Sequence, residues 1–466
     1  MRLKETDIVI VGSGPGGATL ARELARAENG PRVLLLERGR DWRKSRLYGT
    51  YPGAMLYTEK ASFLTTAEGL SIVRPLMLGG ATSMYCACAA DPLPWWQKAY
   101  GIDLAAYAAQ TREELGIAPL PAELRGAAST RIAAAAAELG QEWFAQDKFM
   151  SPARANAFSC GATCMLGCRC GAKWNAAGYV DEALAAGCEL WTGARVEAVI
   201  IEDGQALGLS GSVGRESFVV KAKKVIISAG GIGSARILQR SGLSGAGQGM
   251  TMDTTVIVYG HAPYRGNGNE PPMTWSYADD ELGVLYSTLV DPWLNYPVVM
   301  MRKGPAYALT WARWGQTLGV MIKLKDEISG AVFPGQGISK GLTARDGKRL
   351  ARAEAVAGNI LRQAGCDEDT IFTSPLRGTH PSGTVRIGDL LTADLQSEVA
   401  NLYVCDASVF PQALARPTVL TIIALAKRLA HHLLHGTTAP AAKRRAQRAR
   451  GLVPRRRRLL TEWVAL

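Results

Sequence analysis

Asp7-Ile-Val-Ile-Val-Gly12-Ser-Gly14-Pro-Gly16-Gly17, followed by Val33-Leu-Leu-Leu-Glu37-Arg-Gly39, is the stretch that sets the fold. The run Asp7 to Val11 is a short apolar strand that stops at Gly12, and a helix pattern follows through Ala18, Leu20, Leu24 and Ala25. Gly12 permits a tight turn, Gly14 lets backbone approach a pyrophosphate, and Gly17 lets the helix pack close to the strand. The helix N-terminus offers free N–H groups and a positive dipole end to phosphates. Val33 to Leu36 is a second apolar strand, with Glu37 at its carboxyl end, where a carboxylate accepts from ribose hydroxyls. A chance glycine-rich turn would not explain Glu37. The motif serves NAD and FAD alike.

Further motifs follow along the chain. Leu78-Gly79-Gly80-Ala-Thr82-Ser83-Met84-Tyr85-Cys86 is a second glycine-rich turn, and Val225-Ile-Ile-Ser228-Ala229-Gly230-Gly231 is a strand that ends in glycines. Residues 250–335 alternate Val, Tyr, Thr and Trp among many Pro and Gly, which predicts an antiparallel sheet. Residues 344–364 read as a helix. Gly378-Thr-His380-Pro-Ser-Gly383-Thr384 then leads to Asn401-Leu-Tyr-Val-Cys-Asp406-Ala407-Ser408-Val-Phe-Pro411 and a long final helix from about Thr418. The expected fold is α/β: a Rossmann-like dinucleotide-binding domain, discontinuous in sequence (1–95, 176–249 and 375–436), plus a substrate domain (250–374) built on an antiparallel sheet with helices. Residues 96–175 read as a helical and cysteine-rich insertion.

Hydrophobic residues at 47% and charged residues at 20% describe a globular chain. The first strand begins almost at Met1, so no leader is expected. No stretch reaches the ~18 uncharged apolar residues of a membrane span. The net charge of +12 is lopsided: nine basic and no acidic residues lie between Lys443 and Arg458. Residues 437–466 thus read as a basic, solvated, disordered tail. An acidic partner or an anionic membrane surface is its expected contact. Nucleic acid is not expected, because the body carries no recognition motif. The nine unevenly spaced cysteines suit a reducing compartment, so the expected location is cytoplasmic or peripheral to a membrane.

These pieces, in this order, resemble the glucose–methanol–choline (GMC) flavoprotein oxidoreductase family, from Asp7 to about Leu434. The resemblance implies FAD and oxidation of the CH–OH group of an alcohol, with an electron acceptor that the sequence leaves unknown. It implies that Gly12, Gly14 and Gly17 hold the pyrophosphate, and that Glu37 holds the adenosine ribose. Val196 would flank the adenine. Gly79, Gly80 and Ser83 would line the flavin, Ala229 and Gly230 would belong to the cofactor site, and Asp406 and Ala407 would meet the ribityl–phosphate region. The helix beginning near Thr418 would aim its N-terminus at the flavin pyrimidine, where a positive dipole suits reduced flavin. His380 falls where the family keeps its catalytic histidine, and imidazole titrates in the range a base for the hydroxyl proton needs.

The chain departs from the family in three places. The usual Asn or His after the Phe-Pro motif is replaced by Arg416 or Pro417, depending on the gap. The flavin-linking histidine would fall near Met84, so no covalent link is expected. Cys160, Cys164, Cys168 and Cys170 crowd a glycine-rich loop, and three readings stand: structural or free thiols, an iron–sulfur cluster serving as electron exit, and zinc. A cluster without an ordinary alcohol site would make the chain an electron-transfer flavoprotein subunit. Met273, Trp275, Trp293, Met300, Met301, Trp311 and Trp314 would favour an apolar substrate if they line the pocket, and core packing explains them equally well.

Overall fold

A computed structural model describes residues 1–154, 160–335 and 337–436. The apolar strand Arg2–Val11 lies parallel between Val33–Glu37 and Glu216–Ile227, with Ile8 opposite Val33 and Val11 opposite both Leu36 and Ile227. Glu189–Thr192 extends the parallel edge beyond Val33–Glu37. The long strand Glu216–Ile227 serves two partners. Its first half pairs antiparallel with Gln205–Val213, which pairs with Ala194–Glu202, while its second half pairs parallel with Leu402–Val404. The parallel strands therefore end together at Gly12, Ser228 and Cys405, and open sheets of this kind bind ligands outside their carboxyl ends.

Close packing behind this edge requires glycine. A Cβ on Gly12, which adopts φ +100°, would sit 2.2 Å from the Ser228 carbonyl oxygen, and one on Gly17 would sit 1.8 Å from the Gly12 oxygen. The helix Pro15–Ala25 buries Leu20 and Leu24, and Gly16 lets it approach Cys405 and Ile422 of the helix Val419–His435. The fold is α/β, as the alternating motifs predict.

The second sheet has nine strands, with Thr254–His261, Thr317–Leu324, Val284–Thr288 and Trp275–Asp279 at its centre. It recruits short strands from outside residues 250–374, including Leu64–Thr65, Ser71–Ile72, Phe144–Ala145 and Arg377–Gly378. Strand side chains alternate between faces. Val256, Val258, Val320, Ile322 and Leu324 join Leu350, Ala353, Ala357 and Ile360 of the helix Ala344–Gln363 in one buried cluster. Thr343 starts that helix by accepting from the Asp346 amide at 3.1 Å. Ile257, Tyr259 and Met321 join a different cluster with Met273, Tyr296, Met300 and Trp314. Thr255 and Lys323, directly paired across the strands, follow the same alternation on that second face.

Among the described residues, no helix is long and apolar enough to cross a membrane. The basic tail lies outside the described residues.

Candidate functional site

The glycine turns build a cradle at the sheet edge. The Gly79 amide donates to Ser13 Oγ at 3.1 Å, and a Cβ on Gly80 would lie 3.0 Å from Gly14 Cα, so the two turns abut. A Cβ on Gly14 would meet nothing within 4 Å, which leaves its outer side open to an approaching phosphate. Gly14 caps the helix Pro15–Ala25 without any side-chain hydrogen bond. First-turn amides of a helix need such a partner, and an anion provides one.

Glu37 is buried at the carboxyl end of its strand. Oε2 accepts from the Ser13 amide at 3.0 Å and the Ser13 hydroxyl at 2.6 Å, and Oε1 accepts from the Gly39 amide at 2.6 Å. A carboxylate has about four lone-pair sites, so room remains for one further donor. Val196 is buried on the neighbouring strand Ala194–Glu202.

Several other expected cofactor contacts turn out to brace the cradle. Ser83 donates to the Leu78 carbonyl at 3.1 Å and accepts from Asn175 Nδ2 at 2.9 Å. Asp406 Oδ2 accepts from the Gly230 amide at 2.8 Å and the Ser234 hydroxyl at 2.5 Å, while Oδ1 accepts from the Ser408 amide at 2.7 Å. The Ala229 amide donates to Ser234 Oγ at 3.0 Å. The Ala407 carbonyl accepts from the Gly383 amide at 3.2 Å, which ties the Asp406 segment to the His380 segment. Thr418 caps the helix Val419–His435 without a side-chain hydrogen bond, so that N-terminus also offers free amides. Open glycine backbone, two uncapped helix ends and a buried acid with one free site together fit a dinucleotide such as FAD.

His380 sits two residues beyond the short strand Arg377–Gly378, which lies between Ser71–Ile72 and Thr254–His261 and whose register sets Gly378 opposite Thr254 and Arg377 opposite Thr255. Thr255 also lies opposite Lys323. This register gathers Asp253, Lys323 and His380 at one end of the sheet. Asp253 Oδ2 contacts His380 Nδ1 at 2.7 Å, and Asp253 Oδ1 accepts from the Ala415 amide at 2.9 Å. Lys323 Nζ lies 3.4 Å from Nδ1 and 3.3 Å from Nε2. An in-plane position equidistant from both nitrogens would overlap the carbon between them. The ammonium therefore stands over the face of the ring, and the in-plane lone pair of Nε2 stays clear of it.

A second layer holds Asp253 in place. Its backbone adopts φ 46°, in the left-handed region that aspartate tolerates better than most residues. The Met252 and Asp253 amides donate to Asp326, which forms a 2.8 Å ion pair with Lys340 where both side chains are 0% exposed. The Thr255 and Thr379 hydroxyls donate to the Asp253 carbonyl, each at 2.9 Å. His380 itself keeps 23% of its side-chain surface exposed. Burial holds its pKa below the ordinary 6.5; Lys323 pushes the same way and Asp253 opposes. Burial also lowers the pKa of Lys323, with Asp253 opposing.

Asp253 and Lys323 were absent from the sequence reading. Lys323 did leave a signal: it interrupts the apolar run Thr317-Leu-Gly-Val-Met-Ile. Arg416, one occupant of the position where the family places a second polar group, turns away to Asp280 Oδ1 at 2.6 Å. The other histidines lie elsewhere. His261 is buried in the strand Thr254–His261, and His431, His432 and His435 lie on the last helix.

The cysteine segment lends no support to the two metal readings. Among the described residues, no group of three or more His, Cys, Asp or Glu is arranged to hold a metal ion. Cys168 Sγ lies 3.6 Å from Cys170 Sγ, and Cys160 neighbours Cys164. Lys173 fixes this loop by donating to the carbonyls of Cys164 at 2.8 Å and Tyr85 at 2.9 Å. The Met and Trp residues divide as well. Met273, Met300 and Trp314 pack on the sheet face that carries Lys323, whereas Trp293 and Met301 are exposed.

Comparison with known proteins agrees with this fold. Family profiles for GMC oxidoreductases match residues 54–254 and 341–426, and a Rossmann-like NAD(P)-binding profile matches residues 10–42. An uncharacterised protein of Methanocaldococcus jannaschii is 30% identical over 432 residues, covering 92% of this chain and 100% of that one. A long-chain-alcohol oxidase of Arabidopsis thaliana is 22% identical over 502 residues, covering 89% of this chain and 65% of that one. Among solved structures, pyridoxine 4-oxidase from Mesorbium loti superposes with a TM-score of 0.70 at 17% identity, covering 92% of this chain and 99% of that one. Its likeness is one of fold. The chain belongs to the GMC oxidoreductase family, whose members are FAD-dependent oxidoreductases.

Proposed function

We propose that this oxidoreductase converts the CH–OH group of an organic alcohol to a carbonyl, with His380 as the base. The single observation that carries the reading is the 2.7 Å contact between His380 Nδ1 and Asp253. A carboxylate there makes Nδ1 the protonated nitrogen and leaves Nε2 as the acceptor. The hydroxyl proton of the substrate passes to Nε2 as the C–O bond gains double-bond character. Bound FAD would supply the acceptor for the hydride that leaves the same carbon, so one proton and one hydride are removed together. Gly12, Gly14, Gly17, Glu37, Gly79 and Gly80 would hold the dinucleotide, with Val196, Ser83, Ala229, Gly230, Asp406, Ala407 and Thr418 shaping its bed. The long-chain-alcohol oxidase among the relatives supports an alcohol donor. The apolar sheet face around Met273, Met300 and Trp314 supports an apolar one.

The test is His380→Ala in the flavin-loaded protein. Anaerobic bleaching by an alcohol should slow by roughly 10²–10⁴-fold, the usual contribution of a positioned acid–base group, with flavin content retained. A wild-type rate would remove His380 from the mechanism.

A further inference from the structure

Among the described residues five lysines are buried: Lys148, Lys173, Lys323, Lys340 and Lys427. Four of them face oxygen acceptors. Lys148 donates to the Pro272 carbonyl at 2.6 Å and the Cys86 carbonyl at 2.9 Å. Lys173 donates to two carbonyls, Lys340 pairs with Asp326, and Lys427 pairs with Glu114 at 2.7 Å. Lys323 differs. Among the described residues its one polar neighbour is the His380 ring, whose face it meets, and no carboxylate of those residues lies within ion-pair distance of it. An ammonium carries three donors, and burying them without acceptors is costly. Burial pushes the nearby Cys86 thiol up to about 12, so that group stays neutral and offers no counter-charge.

We infer that Lys323 is the second polar group of the active site, and that its Nζ donates a hydrogen bond to the substrate oxygen as His380 removes the hydroxyl proton. This rests on the alcohol-oxidation reading above. A substrate oxygen about 2.8 Å in line with Nε2 comes within about 4–5 Å of an ammonium placed 3.3 Å from that same nitrogen, so a small turn of the lysine side chain on substrate binding completes the hydrogen bond. The O–H bond breaks, its proton goes to Nε2, and Lys323 keeps its own protons while stabilising the negative charge that grows on oxygen. Preorganised donors aimed at developing charge act strongly where water is excluded. Lys323 thus takes the place that Arg416 and Pro417 leave empty. It also opposes protonation of His380 before substrate arrives, which keeps the base ready.

The experiment compares Lys323→Met, Lys323→Gln and Lys323→Ala with wild type and His380→Ala, all flavin-loaded, in anaerobic single-turnover bleaching by one alcohol across pH. Removing one such donor should slow the saturated rate by about 10²–10³-fold at unchanged flavin content. Removing the cation should also move the acid limb of the profile to higher pH. The same upward shift should appear in the His380 titration followed by NMR of ring carbons, a readout independent of turnover. Methylammonium or ethylammonium should restore part of the rate of Lys323→Ala in a saturable way, and tetramethylammonium, which has no N–H, should not. If His380→Ala is crippled while the Lys323 variants stay within about threefold of wild type, Lys323 has no such role and the alcohol-oxidation reading stands. If His380→Ala retains the wild-type rate, the alcohol-oxidation reading itself fails.

Discussion

Asp253→Asn tests how the base is held. The carboxylate accepts on both oxygens, from the His380 ring at 2.7 Å and from the Ala415 amide at 2.9 Å, in a side chain that is 1% exposed. Asparagine has one acceptor oxygen. Whichever way its amide turns, one contact becomes donor against donor. If the NH₂ group faces Ala415, a backbone amide is left buried without an acceptor, at a cost of about 1–3 kcal/mol. If it faces His380, the ring must switch tautomer, and Nε2 ceases to be the acceptor. A hydrogen bond to a charged group is worth about 1.5–3 kcal/mol, and each 1.36 kcal/mol is tenfold in rate. The expected loss is therefore about 10- to 150-fold in the saturated bleaching rate. Loss of the anion also removes the influence that raises the His380 pKa, so the acid limb should move to lower pH, opposite to the Lys323 variants. Anaerobic stopped-flow absorbance across pH reads both quantities. A rate within twofold of wild type with an unmoved acid limb would refute the assignment of Asp253.

Three further outcomes are expected. Gly14→Ala should weaken flavin binding while leaving apoprotein stability unchanged, because its Cβ meets nothing within 4 Å; Gly17→Ala should destabilise the apoprotein itself, because its Cβ falls 1.8 Å from the Gly12 oxygen. Flavin titration and chemical denaturation separate the two. Lys340→Met should cost about 3–5 kcal/mol by denaturation and also slow bleaching, since it strands Asp326, which holds the Met252–Asp253 turn. In wild type the acid limb of bleaching should lie below 6.5, because folding favours neutral His380; the stability this histidine contributes is present above its unfolded pKa and is lost as pH falls below 6.5. A limb above 6.5 would contradict the reading.

The first sheet was legible because its signals are local. Gly12, Gly14, Gly17 and Glu37 lie within one strand–helix–strand unit, and each residue type answers a steric or hydrogen-bonding demand that can be named. The proposed catalytic array was legible only at His380, whose flanking motif marks it. Asp253 and Lys323 are brought to it by cross-strand register, Thr255 against Lys323 and Thr254 against Gly378, and nothing local specifies those pairings. Lys323 does show that a charge at one position of an apolar alternating strand is a local signal worth following. The cysteine loop stayed open for the same reason: four thiols close in sequence allow free thiols or a metal cage alike, and among the described residues no group of three or more ligands is arranged for a metal.

The central claim is that this chain removes hydride from an alcohol using bound FAD. Anaerobic titration of the purified yellow protein with a panel of alcohols, aliphatic and aromatic, followed by denaturation and identification of the released nucleotide, tests it most directly. The account predicts that at least one alcohol bleaches the flavin with formation of the matching aldehyde or ketone, and that the released nucleotide is FAD. A colourless NAD in the supernatant, or a flavin that no alcohol reduces while dithionite does, would contradict it.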